Sequence, residues 1–190
     1  LLGDIAKSRN FGAALLVAWP AAGDPAPPDD PEVTRYNYVI GTQTIGVRYG
    51  FTEDTRLVET AKAILAMGSN VLKIHMADGY EDSYALPRRE DIRSLVELAR
   101  DEPSYKAVLD MPFSHYLIWT YPFTGMHWQD GLTEHEARDE YRGMYDFSRY
   151  LLKTFSGSGK TFYLGHWEGD WYLHPGYDPR KEPAPEALQG

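Results

Sequence analysis

The chain has no cysteine in its 190 residues. That excludes disulfide bridges, thiolate zinc sites and a cysteine nucleophile. Positive charge is scarce: 19 Lys and Arg stand against 28 Asp and Glu, for a formal net charge of −9. Nucleic-acid phosphates demand clustered cations, so a nucleic-acid partner is not expected. No apolar run reaches the roughly 18 residues that a membrane-spanning helix needs. Phosphate-binding glycine loops are missing as well. Residues 41–46 read GTQTIG rather than G-x-G-x-x-G. Residues 157–161, GSGKT, lack the upstream glycine of a P-loop and precede a strand-like stretch. Neither His-Glu-x-x-His nor Gly-x-Ser-x-Gly occurs, so a zincin centre and a serine elbow are absent, and no metal or cofactor is expected.

What the chain has is apolar mass and rings. Hydrophobic residues make up 43%, enough to build a core, and aromatics 14%, with 14 Tyr and five Trp. Ring faces pack against sugar C–H groups while polar edges hydrogen-bond, so this richness suits carbohydrate binding as well as core filling. Residues 11–22 are apolar and follow Lys7 and Arg9. That layout resembles a secretory leader, which would favour a secreted or envelope protein; the competing reading is a buried strand. Five prolines between 20 and 31 make residues 1–34 an extension or linker, and the folded domain is expected over 35–190.

Within that domain the pattern predicts alternating strands and helices. Residues 38–46 are β-branched and read as a first strand. Thr52 is a candidate N-cap for a helix with Leu57, Val58, Ala61, Ile64 and Leu65 at helical spacing, stopped by Gly68. The apolar run 71–76 reads as a parallel strand covered on both faces. A helix over 89–100 follows, then a third strand over 105–111 and a long aromatic loop over 112–131. Thr133 and Glu136 form a capping box for a helix running to about residue 155. Residues 162–164 are a fourth strand, opening into His166-Trp167-Glu168-Gly169-Asp170-Trp171. The fold class is therefore α/β, with about four βα units of a (β/α)₈ barrel, and residues 183–190 read as the start of another helix. On that reading the chain is the N-terminal half of a barrel domain, truncated at its C-terminus.

Barrels of this kind place chemistry at strand C-termini and in the loops that follow. Gln43, His75, Asp110 and His166 fall there, with His115 and Trp119 in the loop above. Glu168 is the candidate catalytic residue. A glutamate in an aromatic, partly dry pocket keeps its proton to higher pH, as a general acid for glycosidic cleavage must. The competing role for Glu168 is a turn cap or an arginine partner. Trp167, Asp170 and Trp171 complete the expected substrate contacts, Asp170 being either a second carboxylate or a turn residue.

On these residues the chain resembles the (β/α)₈ glycoside hydrolases of the large retaining clan, and bacterial glycosidase-like barrels that carry a Trp-Glu-Gly-Asp-Trp segment. The resemblance implies an O-glycosidase acting on an oligo- or polysaccharide, with Glu168 as acid/base after strand four. It also implies a nucleophilic glutamate beyond residue 190. Trp167 stands where that clan carries Asn. The alternatives are a non-catalytic carbohydrate-binding barrel and a metal-dependent barrel hydrolase.

Overall fold

The computed structural model describes residues 41–43, 46, 49–125, 130–166 and 173–188, with only the backbone of 41–43. The proline-rich extension, the first part of the expected strand one and residues 167–172 lie outside the described residues.

Four parallel strands form one sheet in sequential order: β1 (Gly41–Gln43), β2 (Val71–Met76), β3 (His115–Thr120) and β4 (Thr161–Gly165). The connections carry α1 (Arg56–Ala66) before β2, then α2 (Tyr80–Tyr84), α3 (Leu95–Asp101) and α4 (Pro103–Asp110) before β3, and α5 (Glu134–Thr154) before β4. The chain is thus α/β with a parallel sheet, as its alternating pattern implied.

Strand alternation decides where the core sits. Leu72, Ile74 and Met76 on β2, and Tyr116 and Ile118 on β3, are buried, and they share one cluster with Leu57, Ile64, Leu98, Val108, Phe147 and Leu151 of the helices. The helices therefore cover one face. The other face carries Val71, Lys73, His75, Leu117 and Trp119, all half-buried, with Tyr163 exposed. Strand β2 has the expected bounds, but only one of its faces is fully buried among the described residues, not two.

The third strand was misplaced. Residues 105–111 belong to helix α4 and the residue that follows it, and the strand lies in what reads as loop. Glu102 explains the helix: its carboxylate accepts the peptide N–H of Tyr105 at 2.8 Å, and Pro103 occupies the first turn. Tyr105, Val108 and Leu109 then bury one helical face. The helix expected over 89–100 starts later, at Leu95, where the Ser94 side chain accepts from the Glu97 N–H. Thr52 caps no helix. The N-cap position is Thr55, while the Thr52 hydroxyl donates to Glu59 at 2.6 Å. The capping box of α5 forms as expected, with Thr133 and Glu136 each accepting the other's backbone N–H.

Two clusters fix the ends of the sheet. At the amino end, the Lys160 ammonium donates to the carbonyls of Leu109 (2.8 Å) and Met111, which close α4, and lies 3.2 Å from the Tyr116 hydroxyl. A cation over helix C-terminal carbonyls is favourable. At the carboxyl end, Tyr84 and Tyr105 hold the peptide of His75. The Tyr84 hydroxyl accepts the His75 N–H at 2.8 Å, and the Tyr105 hydroxyl donates to the His75 carbonyl at 2.8 Å. Among the described residues, strand β1 pairs with β2 from Gly41↔Val71 to Gln43↔Lys73. Two buried hydroxyls thus satisfy the N–H and carbonyl of His75.

Candidate functional site

The carboxyl ends of β2, β3 and β4 converge on a group of rings and one carboxylate. His75, next to last on β2, places its Nδ1 2.9 Å from the Ser83 hydroxyl of α2. Its ring meets Tyr121, just past β3, edge-on at 5.9 Å. Tyr121 in turn meets the ring of His166, just past β4, at 5.0 Å. His166 Nε2 lies 3.4 Å from Glu140 Oε1 on α5. The other Glu140 oxygen takes a long contact of 3.4 Å from the Thr124 hydroxyl.

Burial sets the electrostatics. The Glu140 side chain is only 15% exposed, and its Oε1 is buried with no hydrogen bond. Desolvation raises its pKa above the usual carboxylate value, with the Thr124 contact opposing in part. Burial pushes the pKa of both His75 and His166 down, toward neutral imidazole. Burial thus opposes ionisation of the carboxyl and protonation of the histidine that faces it.

A cavity of about 160 Å³ adjoins this group, walled by Ala77, Asp78, Tyr121, Pro122, Thr124 and Glu140. A larger open groove, about 450 Å³, lies on the helical side between α3 and α5, lined by residues such as Leu95, Asp146, Arg149 and Lys153. None of the described residues lining that groove belongs to a strand end, so the smaller cavity is the one beside the site.

Helix α5 approaches the cavity closely because residue 143 is glycine. A Cβ there would stand 2.7 Å from Cβ of Pro122 in the loop after β3. Glu140 occupies the same stripe as Met144, Phe147 and Leu151, at helical spacings of four, three and four. The stripe carries it inward.

The expected site residues divide. His75 and His166 come together at the carboxyl end through Tyr121. Trp119 lies in strand β3 rather than in a loop, level with His75, and Lys73 Nζ sits 3.8 Å over its ring. Asp110 is corrected: it ends α4, not a strand, and pairs with Lys106 at 2.8 Å on the surface at the opposite end of the sheet. His115 is corrected too. It opens β3 beside Val71 and Thr161, the first residues of their strands, and its ring tilts against Tyr163 at 6.1 Å. On the barrel reading His166 would face the interior, away from the helices. Instead Leu164, of the same parity, packs on the helical core, and His166 meets Glu140 of α5. Gln43 is in β1 by its backbone, and its side chain lies outside the described residues, as do Trp167, Glu168, Asp170 and Trp171.

No family model, curated protein or solved structure matches this chain. The site must therefore be read from its own chemistry. Sequence reasoning missed Glu140 and Tyr121. Glu140 had one available signal, a carboxylate on an otherwise apolar helical stripe. Tyr121 was read only as one ring of the aromatic loop over 112–131, because the strand that ends beside it was not recognised. Among the described residues, no three His, Asp or Glu side chains are grouped so as to hold a metal ion. No described helix is long and apolar enough to cross a membrane.

Proposed function

We propose that these βα units belong to a (β/α)₈-type barrel that hydrolyses O-glycosidic bonds of an oligo- or polysaccharide, with Glu168 as general acid/base. One observation carries the reading. The strand that leads into Glu168 ends in His166, which joins Tyr121, His75 and Glu140 at the carboxyl end of a parallel sheet. That is the end where barrels place their chemistry. Sequential strand order, with the helices packed on one face, supports the barrel reading.

The chemistry follows from the groups present. Glycosidic cleavage needs a proton delivered to the leaving oxygen and then withdrawn from water. Glu168, two residues beyond His166, would deliver it. His166, whose protonation desolvation disfavours, would accept or relay protons, with Glu140 beside its ring. Trp119 and Tyr121 supply ring surface for sugar C–H groups.

The test is turnover. Glu168→Gln should lower glycoside hydrolysis by about 10²–10⁴-fold, the usual scale of general acid–base catalysis, with the circular dichroism spectrum unchanged. Unaltered turnover would reject the role.

A further inference from the structure

We propose that the cavity walled by Tyr121 and Glu140 is a subsite for one neutral, polyhydroxylated ring, whose hydroxyls are read by the Glu140 carboxyl group. The inference rests on the glycosidase reading and adds a substrate class to it.

Three observations converge on that cavity. First, Glu140 sits where the α5 stripe calls for an apolar side chain, and its burial disfavours the charge. Packing gives no reason for a carboxyl there. Its internal contacts are two long ones, to His166 and to Thr124, both at 3.4 Å. Buried polar groups are normally satisfied by short hydrogen bonds, so this group has capacity to spare. Second, the cavity measures about 160 Å³. At roughly 30 Å³ per water that is room for about five waters, which is also the scale of a single pyranose ring. Third, its walls combine the Tyr121 ring, Ala77 and Pro122 with the polar groups of Thr124, Asp78 and Glu140. A sugar presents the same two kinds of surface, C–H faces and hydroxyl edges.

The charges select the class of ring. Two carboxylates, Asp78 and Glu140, border the cavity, and no Lys or Arg is among its described lining residues. Arg88, the neighbouring cation, is engaged by Asp78 at 2.5 Å and Glu81 at 3.0 Å. A uronate or phosphorylated sugar would set its charge against Glu140, whose own ionisation burial already disfavours, while Asp78 is exposed and paired with Arg88. A neutral ring suffers no such penalty.

The decisive experiment titrates the full chain with methyl β-D-glucopyranoside and with its uronate counterpart, following binding by NMR or calorimetry. The expected result is at least a tenfold preference for the neutral ring. Glu140→Gln keeps hydrogen-bonding capacity and removes the charge, so the preference should shrink to less than threefold. Thr124→Val, a milder change, should weaken binding of the neutral ring and leave the preference in place. Near-UV circular dichroism confirms that each variant is folded. Equal affinity for both rings, or a preference that Glu140→Gln does not move, would overturn the subsite. The two readings fail separately. A chain that hydrolyses glycosides without the charge preference retains the glycosidase reading and loses the subsite. One that keeps the preference but cleaves no glycoside keeps the subsite and loses the hydrolase.

Discussion

Glu140 and the two histidines pull the stability of the protein in opposite directions with pH. The Glu140 pKa is raised by burial, so the native state holds a proton there that the unfolded chain has released. Stability from this group is therefore full below the ordinary carboxylate pKa and is lost as pH rises through the raised value. His75 and His166 are depressed by burial, so the unfolded chain binds their protons first. Their contribution falls as pH drops below the ordinary histidine value, about 6.5. Glu140→Gln should remove the first of these losses. Its melting temperature at pH 7 should exceed the parent's by roughly 2–4 °C for each kcal/mol relieved, and the gain should vanish near pH 4. A gain that persists at pH 4 would show that packing, not charge, is responsible. The tyrosine hydroxyls around His75 offer a second test. Tyr105→Phe leaves the His75 carbonyl without its 2.8 Å donor, in a place where Tyr105 itself is fully buried. The expected loss is about 1–3 kcal/mol in urea unfolding.

Among the elements, the approach of α5 to the loop after β3 is the most exposed to a single change. Gly143 sits inside a 21-residue helix, where alanine would ordinarily gain about 1 kcal/mol. Here its Cβ would press on Pro122, so Gly143→Ala should instead lose about 1–3 kcal/mol. Combining it with Pro122→Gly should recover much of that loss, and additive effects in the double-mutant cycle would refute the contact. The amino end of the sheet is equally specific. Lys160→Met keeps the stem but strips the ammonium from the Leu109 and Met111 carbonyls, and roughly 1.5–3 kcal/mol should go with it. How far elements were legible depended on whether local chemistry was decisive. The α5 capping box is two residues with one job, and β2 is an apolar run too short for a helix. The α4 segment carries Tyr, Val and Leu, which suit a strand, and only the Glu102–Pro103 cap reveals the helix. Strand β3, bracketed by Pro112 and Pro122, mixes His, Tyr and Trp, and so resembled a binding loop. That one exchange displaced Asp110 and His115 to the wrong end of the sheet and hid Tyr121.

For the whole molecule, the alternating βα pattern made the α/β class and the position of His75 and His166 readable. Glu140 was not readable from strand ends, because it reaches the site from a helix across the sheet. The distribution of burial also predicts how the chain opens. Strands β2 and β3 contribute fully buried side chains to the core, whereas the side chains of β4 are half-buried or exposed and the strand follows the exposed turn over 156–159. Amide hydrogen exchange should therefore be slowest in β2 and β3 and markedly faster in that turn. Uniform rates across these segments would contradict a core centred on the two middle strands.

The paired hydroxyls on the His75 peptide have a topological consequence. A strand extends by zipping, each new peptide bonding to the one beside it. At His75 both backbone groups are already taken by tyrosines that arrive from the helical layer. The edge of β2 is closed at that peptide by hydroxyls rather than by another backbone. Phenylalanine at 84 and 105 together would strip both bonds and leave that N–H and carbonyl seeking a new partner.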